Sequence, residues 1–282
     1  MDYGIVKYTR SVGSSFMVPG ITNPVITYSG PGDVVAGGLN WWGLRAYSSR
    51  TVGSKAIRLR RDSDNAESDF STRPSGDLDV TSIATFGIGA SLFATTLYDQ
   101  IGSIHLVQAT TTSQPQLVLS GLGTRPVLRF TAAGQSSLAT AGNVAQNQPM
   151  TVSWVAKRTG GAGVFHGVFL AGNGNWAGGF NPASGGIFML ASSEVDATGA
   201  EGSFHAVQSV LNGASSDLNI DGTANAGDAG TSAATGNVLE YSDKLFGNVL
   251  NGDSMELGWW PFAFSGGQSS SMSSNQHAYW GF

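Results

Sequence analysis

The chain has 282 residues, no cysteine, and 14 basic against 19 acidic side chains, for a net charge of −5. That length can bury a core without help from disulfides or metals. The missing cysteine excludes disulfide frameworks, thiolate nucleophiles and zinc–thiolate sites, and the acidic balance argues against a nucleic-acid partner, which needs a basic excess.

In chain order, residues 1–38 come first. Their "VPGITNPVITYSGPGDVVAGG" carries three prolines and five glycines without lasting periodicity. Two readings stand: an extended N-terminal arm that docks on something else, or an ordinary strand and loop. The opening "MDYGIVKYTR" lacks an apolar signal segment, and no apolar run reaches the roughly 18 residues of a membrane span. A product made in the cytoplasm, without a membrane partner, is expected. "LNWWGLRAYSSR" has room for one or two helical turns. "KAIRLR" alternates, with Ile57 and Leu59 on one side, and reads as a strand with one buried face. "DVTSIATFG" reads as a short helix capped by Asp79 or Thr81. "SLFATTLYDQ", "QPQLVLS" and "RPVLRFT" read as strands, the last two with proline at the start, where a missing donor does little harm.

Further on, "MTVSWVAKR" places Val152, Trp154 and Ala156 on one face. "GVFHGVFLAGNGNWAGGFN" gives two strands around an Asn/Gly loop, and "GIFMLASS" gives another. "SFHAVQSVLNGASSDLNIDGT" holds two strands and the turn signals Asn212-Gly213 and Asp221-Gly222. "DKLFGN" follows. "MELGWWPFAFSGGQSSSMSSNQHAYWGF" closes as a strand and a short polar helix ending near Tyr279. About a dozen short strands and the glycine content, 40 of 282, predict an all-β fold: an antiparallel two-sheet sandwich with a few short helices.

One stretch is out of character. Only 12% of the chain is charged, yet seven of its 14 basic residues (Arg45, Arg50, Lys55, Arg58, Arg60, Arg61 and Arg73) fall close together. Asp62, Asp64, Glu67 and Asp69 follow directly. These oxygen donors suit Ca²⁺ in kind, but the spacing is not that of an EF-hand and the arginines repel a cation. The expected role is a structural ion-pair network of Arg58, Arg60 and Arg61 with Asp62, Asp64, Glu67 and Asp69, joined by Asp99 as an inward carboxylate. No metal and no cofactor are expected.

The second half resembles the concanavalin A-like lectin/glucanase superfamily in its laminin-G-like form. The matching stretches are "FHAVQSVLNG" (204–213), "LNIDGT" (218–223), "LFGN" (245–248), "MELGWWPFAFSGGQ" (255–268) and "NQHAYWGF" (275–282). In the first half, "AYSSRTVGSKAIRLRRDSDNAESDF", "TTLYDQIGS", "QPQLVLS" and "RPVLRFT" resemble the module of arabinofuranosidase-B-type catalytic domains across residues 46–140. The same module is common in bacteriophage structural proteins. Together the resemblances imply one jelly-roll sandwich over residues 39–282, with 1–38 outside it. The arabinofuranosidase domains carry a paired-cysteine segment near their catalytic machinery, which has no counterpart here.

Glycoside hydrolysis needs two carboxylates about 5–10 Å apart across the sugar. Glu194, Asp196, Glu201, Asp221, Glu240 and Glu256 are available, but none lies in a glucanase-type motif. "SEVDATGAEG" comes nearest and reads as a loop. Sugar binding asks for less: an aromatic platform and a few amides. Trp176, with Asn173, Asn175 and Asn181, offers these in a Gly-rich loop, unless Trp176 folds back over the sandwich. Each of the doublets Trp41-Trp42 and Trp259-Trp260 would turn one member outward in a strand, toward a subunit contact. His105, His166, His205 and His277 show no ligand spacing.

The resulting expectation is a non-enzymatic bacteriophage virion protein, a capsid decoration, head-fibre or tail component. It would dock on other virion proteins through residues 1–38, form a homo-oligomer and bind a host-surface glycan weakly. A glycan-binding adhesin and an arabinofuranosidase-type hydrolase are the alternatives.

Overall fold

The computed structural model describes residues 28–282 apart from 161–164, 173, 182–184 and 199–201. Every pair of named strands is antiparallel. One layer is centred on the long strand Gly252–Trp260, which pairs with Met150–Arg158, Asn40–Gly43 and Arg125–Phe130. Met150–Arg158 continues outward to His205–Leu211 and Ser216–Ile220. The second layer runs from Glu194–Thr198 through Gly186–Leu190, Trp176–Asn181 and His166–Ala171 to Glu240–Tyr241. The predicted all-β sandwich is therefore the observed architecture.

Alternation fixes which faces meet. Trp154, Trp259 and Phe130 project inward from one layer onto Phe180, Trp176 and Tyr241 from the other, with ring centroids 5.8, 6.0 and 5.2 Å apart. Tilted and edge-on ring pairs at this spacing add to the stabilisation from area burial alone.

A second, smaller core lies on the outer side of the long strand. Val35, Trp41, Tyr47, Trp260, Phe264 and Met272 form it, and the Trp260 indole donates to the Val35 carbonyl at 2.9 Å. This corrects the expectation for the tryptophan doublets. All four rings are at most 1% exposed, because residues 28–38 and the C-terminal helix Gly266–Trp280 cover the face that alternation turns outward. Residues 28–38, assigned by sequence to the arm, thus pack on the body. Residues 1–27, the rest of that arm, lie outside the described residues.

Two local readings also change. "NWWG" is a strand, Asn40–Gly43, since pairing with Gly252–Trp260 overrides any helical turn. Glu194–Thr198 is a strand rather than a loop. The helices follow their signals: Asp79 caps Val80–Phe86 by accepting from the Ser82 amide, and Ser265 and Gln268 form a capping box ahead of Gly266–Trp280.

The charged stretch forms the hairpin of Lys55–Arg61 with Glu67–Ser71. Asp69 accepts from Lys55 Nζ at 2.6 Å, from Arg58 Nε at 2.6 Å and from the Tyr98 hydroxyl at 2.7 Å. Arg61 holds Asp64 through two contacts, at 3.1 and 2.6 Å. The remaining members pair differently from expectation. Arg60 donates to Gln114 and Asn65, Asp62 accepts from the Ser91 amide, and Asp99 accepts from Asn40 and the backbone amides of Trp41, Ile101 and Ile104. No ion pair of Glu67 is found among the described residues. The turn folds Arg60 inward, where the Gln114 and Asn65 side-chain oxygens and the Arg61 carbonyl accept its guanidinium hydrogens.

The Arg58 guanidinium, opposed only partly by burial and aided by Lys55 and Tyr98, holds the Asp69 carboxyl well below the usual range. A lowered pKa means stability that is present above the unfolded value of about 3.9 and lost as pH falls through the folded value. Asp69→Asn is therefore expected to cost about 1 kcal/mol at pH 7, discounted for exposure. It should also flatten the fall in urea midpoint below pH 4. An acid profile identical to wild type would show that the hairpin does not depend on this carboxylate.

Candidate functional site

The outer face of the second layer carries an unusual row. Leu170, Ala177, Leu190 and Glu194 are successive cross-strand neighbours and point the same way. The next row is Gly179, Phe188 and Asp196. Their alternates Phe169, Trp176, Phe180, Ile187, Met189 and Val195 fill the main core. An apolar floor ending in carboxylates thus faces away from the core.

Two segments wall this floor into a groove of about 330 Å³ lined also by Phe165, Gly174, Asp243, Phe246 and Asn248. Phe165 packs edge-on against Phe188 at 5.2 Å and is 37% exposed. Phe246 is 53% exposed and lies over Gly174, where an added Cβ would come within 2.7 Å of its ring. Gly174 also has φ +80°, so glycine is required there twice over.

The loop that carries Phe246 is pinned by two acids. Glu240 accepts from the amides of Lys244 and Leu245, both at 2.9 Å, and Asp243 from the Phe246 amide at 3.0 Å and Asn248 Nδ2 at 3.1 Å. On the opposite wall, Asn181 Nδ2 donates to Glu194 Oε1 at 2.7 Å and to Asp196 Oδ2 at 3.1 Å. Burial pushes the Glu194 carboxyl up; the Asn181 bond opposes this and the neighbouring Asp196 charge adds to it. Burial likewise pushes Asp243 up, against the two donors it holds. The groove therefore presents two carboxylates that keep a proton to higher pH than usual, beside exposed aromatic faces and amides. Apolar walls with a few converging polar groups are the usual make-up of a small-ligand site.

None of the described residues expected to bind a glycan lines this groove; Asn181 is buried and meets it only through Glu194, to which it donates. Trp176 is fully buried, its indole donating to the Ser232 carbonyl at 2.6 Å, so it offers no platform. Asn175 is tied to the Ala233 carbonyl. Asn173 and Glu201 lie outside the described residues. Glu256 is buried in an ion pair with Arg45, and Asp221 lies between two histidines elsewhere. Asp243, Phe246 and Asn248 were not predicted, although "DKLFGN" places an acid, an aromatic and an amide around a glycine. Among the described residues, no three His, Asp or Glu side chains gather as metal ligands.

Comparison with known proteins gives the fold a context. No family model matches the sequence, and no curated protein matches it. Among solved structures, a GH54 α-L-arabinofuranosidase soaked with 4-nitrophenyl α-L-arabinofuranoside is similar with a TM-score of 0.68 and 16% identity, over 87% of this chain and 64% of that one. An arabinofuranosidase complexed with arabinofuranosyl-α-1,2-xylobiose is similar with a TM-score of 0.63, 15% identity and the same coverage. The binding domain of Paraclostridial Mosquitocidal Protein 1 follows, with a TM-score of 0.50 and 11% identity, over 66% of this chain and 51% of that one. This chain thus spans just under two thirds of the arabinofuranosidase structures it resembles. These findings correct the expectation of a non-enzymatic virion protein. The two structures named here that match over 87% of the chain are arabinofuranosidases, and none of those named is a virion component. At 15–16% identity, the structural similarity shows that the chain shares their fold.

Proposed function

We propose that the protein is carbohydrate-active and binds a sugar in the groove between Glu194 and the Phe246 loop. The observation that carries the reading is the row Leu170–Ala177–Leu190–Glu194, an apolar floor ending in a carboxylate on an outward sheet face, walled by exposed Phe165 and Phe246. Sugar rings stack their C–H faces on aromatic side chains and give their hydroxyls to carboxylates and amides; Glu194 and Asn248 supply these. The fold shared with arabinofuranosidases points to furanosides as first ligands.

A second reading, glycoside hydrolysis, is favoured by the raised Glu194 and Asp243 carboxyls. That chemistry uses one protonated and one ionised carboxyl group on the two sides of the scissile bond. In this reading turnover falls on the acid side at a pH above the ordinary carboxylate range, where the group that must be ionised gains its proton.

Calorimetric titration with arabinofuranosyl-xylobiose, together with 4-nitrophenol release from 4-nitrophenyl α-L-arabinofuranoside, tests both readings. Phe246→Ala is expected to weaken binding about tenfold with little change in melting, since the ring is half-exposed. Glu194→Gln and Asp243→Asn should abolish any turnover. Wild-type affinity in both Phe246→Ala and Glu194→Gln would remove the groove from consideration.

A further inference from the structure

A second cleft lies apart from the groove, where the tip of the hairpin at residues 121–123, the end of Met150–Arg158 and the C-terminal helix converge. Its volume is about 580 Å³, within the range of small-ligand pockets. Its chemistry differs from that of the groove, because a cation overlooks it.

Lys157 Nζ stands 3.7 Å from Asp253 Oδ2. Asp253 is fully buried and already held in two-point fashion by Arg129, at 2.8 and 3.0 Å. One carboxylate thus faces two cations, and among the described residues one positive charge is left over. Asp253 is matched by the better geometry of the guanidinium, so the surplus resides on the Lys157 ammonium. That ammonium sits 4.6 Å from the centroid of Phe204, which lines the cleft together with Phe282 and Leu122. The Phe204 and Phe282 rings are 5.9 Å apart and tilted by 35°, and His277 packs against Phe282 at 4.6 Å with a tilt of 55°.

The one acid among the described residues that line the cleft is already engaged. Asp221 Oδ2 meets His205 Nδ1 at 2.6 Å, and Oδ1 meets His277 Nε2 at 3.1 Å and the Ala206 amide at 2.8 Å. To aim there, Asp221 adopts φ +52° at the turn before Gly222, a backbone region that few side chains other than Asn and Asp enter. Both carboxylate oxygens are spent on donors in the floor, so the charge facing a ligand is that of Lys157.

We propose that this cleft is a second ligand site, for a small ring compound bearing one carboxylate: the ring lies against Phe204 and Phe282 and the carboxylate meets Lys157. This goes beyond the proposed sugar groove, whose lining offers carboxylates and no cation.

The test uses the full chain and NMR of the His205 and His277 ring protons, assigned with His277→Gln. Sodium glucuronate is expected to shift both in a saturable way, while glucose, with the same ring and no charge, binds about tenfold more weakly or not at all. Acetate, which has the charge without the ring, should also be weaker. Lys157→Met keeps the alkyl stem on Phe204 and should lose about tenfold in glucuronate affinity; Lys157→Arg should retain most of it. Phe246→Ala should leave glucuronate binding unchanged, which separates this site from the groove. Equal binding of glucose and glucuronate, unchanged affinity in Lys157→Met, or no shift up to saturating glucuronate would each overturn the proposal.

Discussion

Replacing Glu256 with alanine is expected to destabilise the protein by about 3–5 kcal/mol, the range for stranding one member of a buried ion pair. Arg45 and Glu256 have no exposed side-chain surface. Arg45 Nε and Nη2 donate to the two carboxylate oxygens at 2.6 and 3.0 Å, and Gln276 Nε2 and Trp280 Nε1 add one bond each at 2.9 Å. Four donors from three side chains thus converge on one carboxylate. The guanidinium also lies 4.6 Å from the Tyr279 ring centroid, so the pair fastens the C-terminal helix to the sheet. Without Glu256, the Arg45 charge remains where water cannot reach it. At roughly 2–4 °C per kcal/mol for a domain of this size, the melting midpoint should fall by about 10 °C. Glu256→Gln should also be costly, since the amide keeps the shape and loses the charge. Arg45→Met combined with Glu256→Leu should recover much of the loss, because removing both charges also removes their desolvation cost. A single Glu256→Ala variant that melts with wild type would mean that the pair adds nothing.

How much of this could be read from sequence depends on the range of the interactions. The strands around Trp154, Trp176 and Ile187 were legible because inward and outward residues alternate and glycines mark the turns. The Asp79 cap is equally local. The doublets Trp41-Trp42 and Trp259-Trp260 were misread, since burying both faces requires residues 28–38 and the C-terminal helix to return to the same strand. The groove was hidden for a related reason. Its walls come from residues near 165, 174, 190 and 246, joined only through pairing such as Phe169 with Tyr241. Glu194 was noticed as an acid in "SEVDATGAEG", but its small neighbours suggested a loop; strand pairing with Gly186–Leu190 decides otherwise. Asp243 gave no signal of its own, because its raised pKa comes from burial that no local pattern encodes.

Trp176→Ala is expected to cost about 3–5 kcal/mol by leaving a large cavity in the core, and to leave the sugar affinity of the folded protein unchanged. The ring is fully buried, 6.0 Å from that of Trp259, and its indole hydrogen satisfies the Ser232 carbonyl. Alanine removes the packing and the shorter of the two hydrogen bonds to that carbonyl, which keeps Gln148 Nε2 at 3.1 Å, and the two costs add. Trp176→Phe keeps most of the volume and should cost less than half as much. Measurements of melting and sugar binding on the same variants separate two roles for this residue. A residue that stacks on sugar loses affinity with little change in melting, which is the pattern expected for Phe246, 53% exposed at the groove. A core residue shows the opposite. If Trp176→Ala weakened sugar binding while melting like wild type, the ring would have to leave the core to meet the ligand, and the assignment of the groove to Phe165 and Phe246 would fail with it.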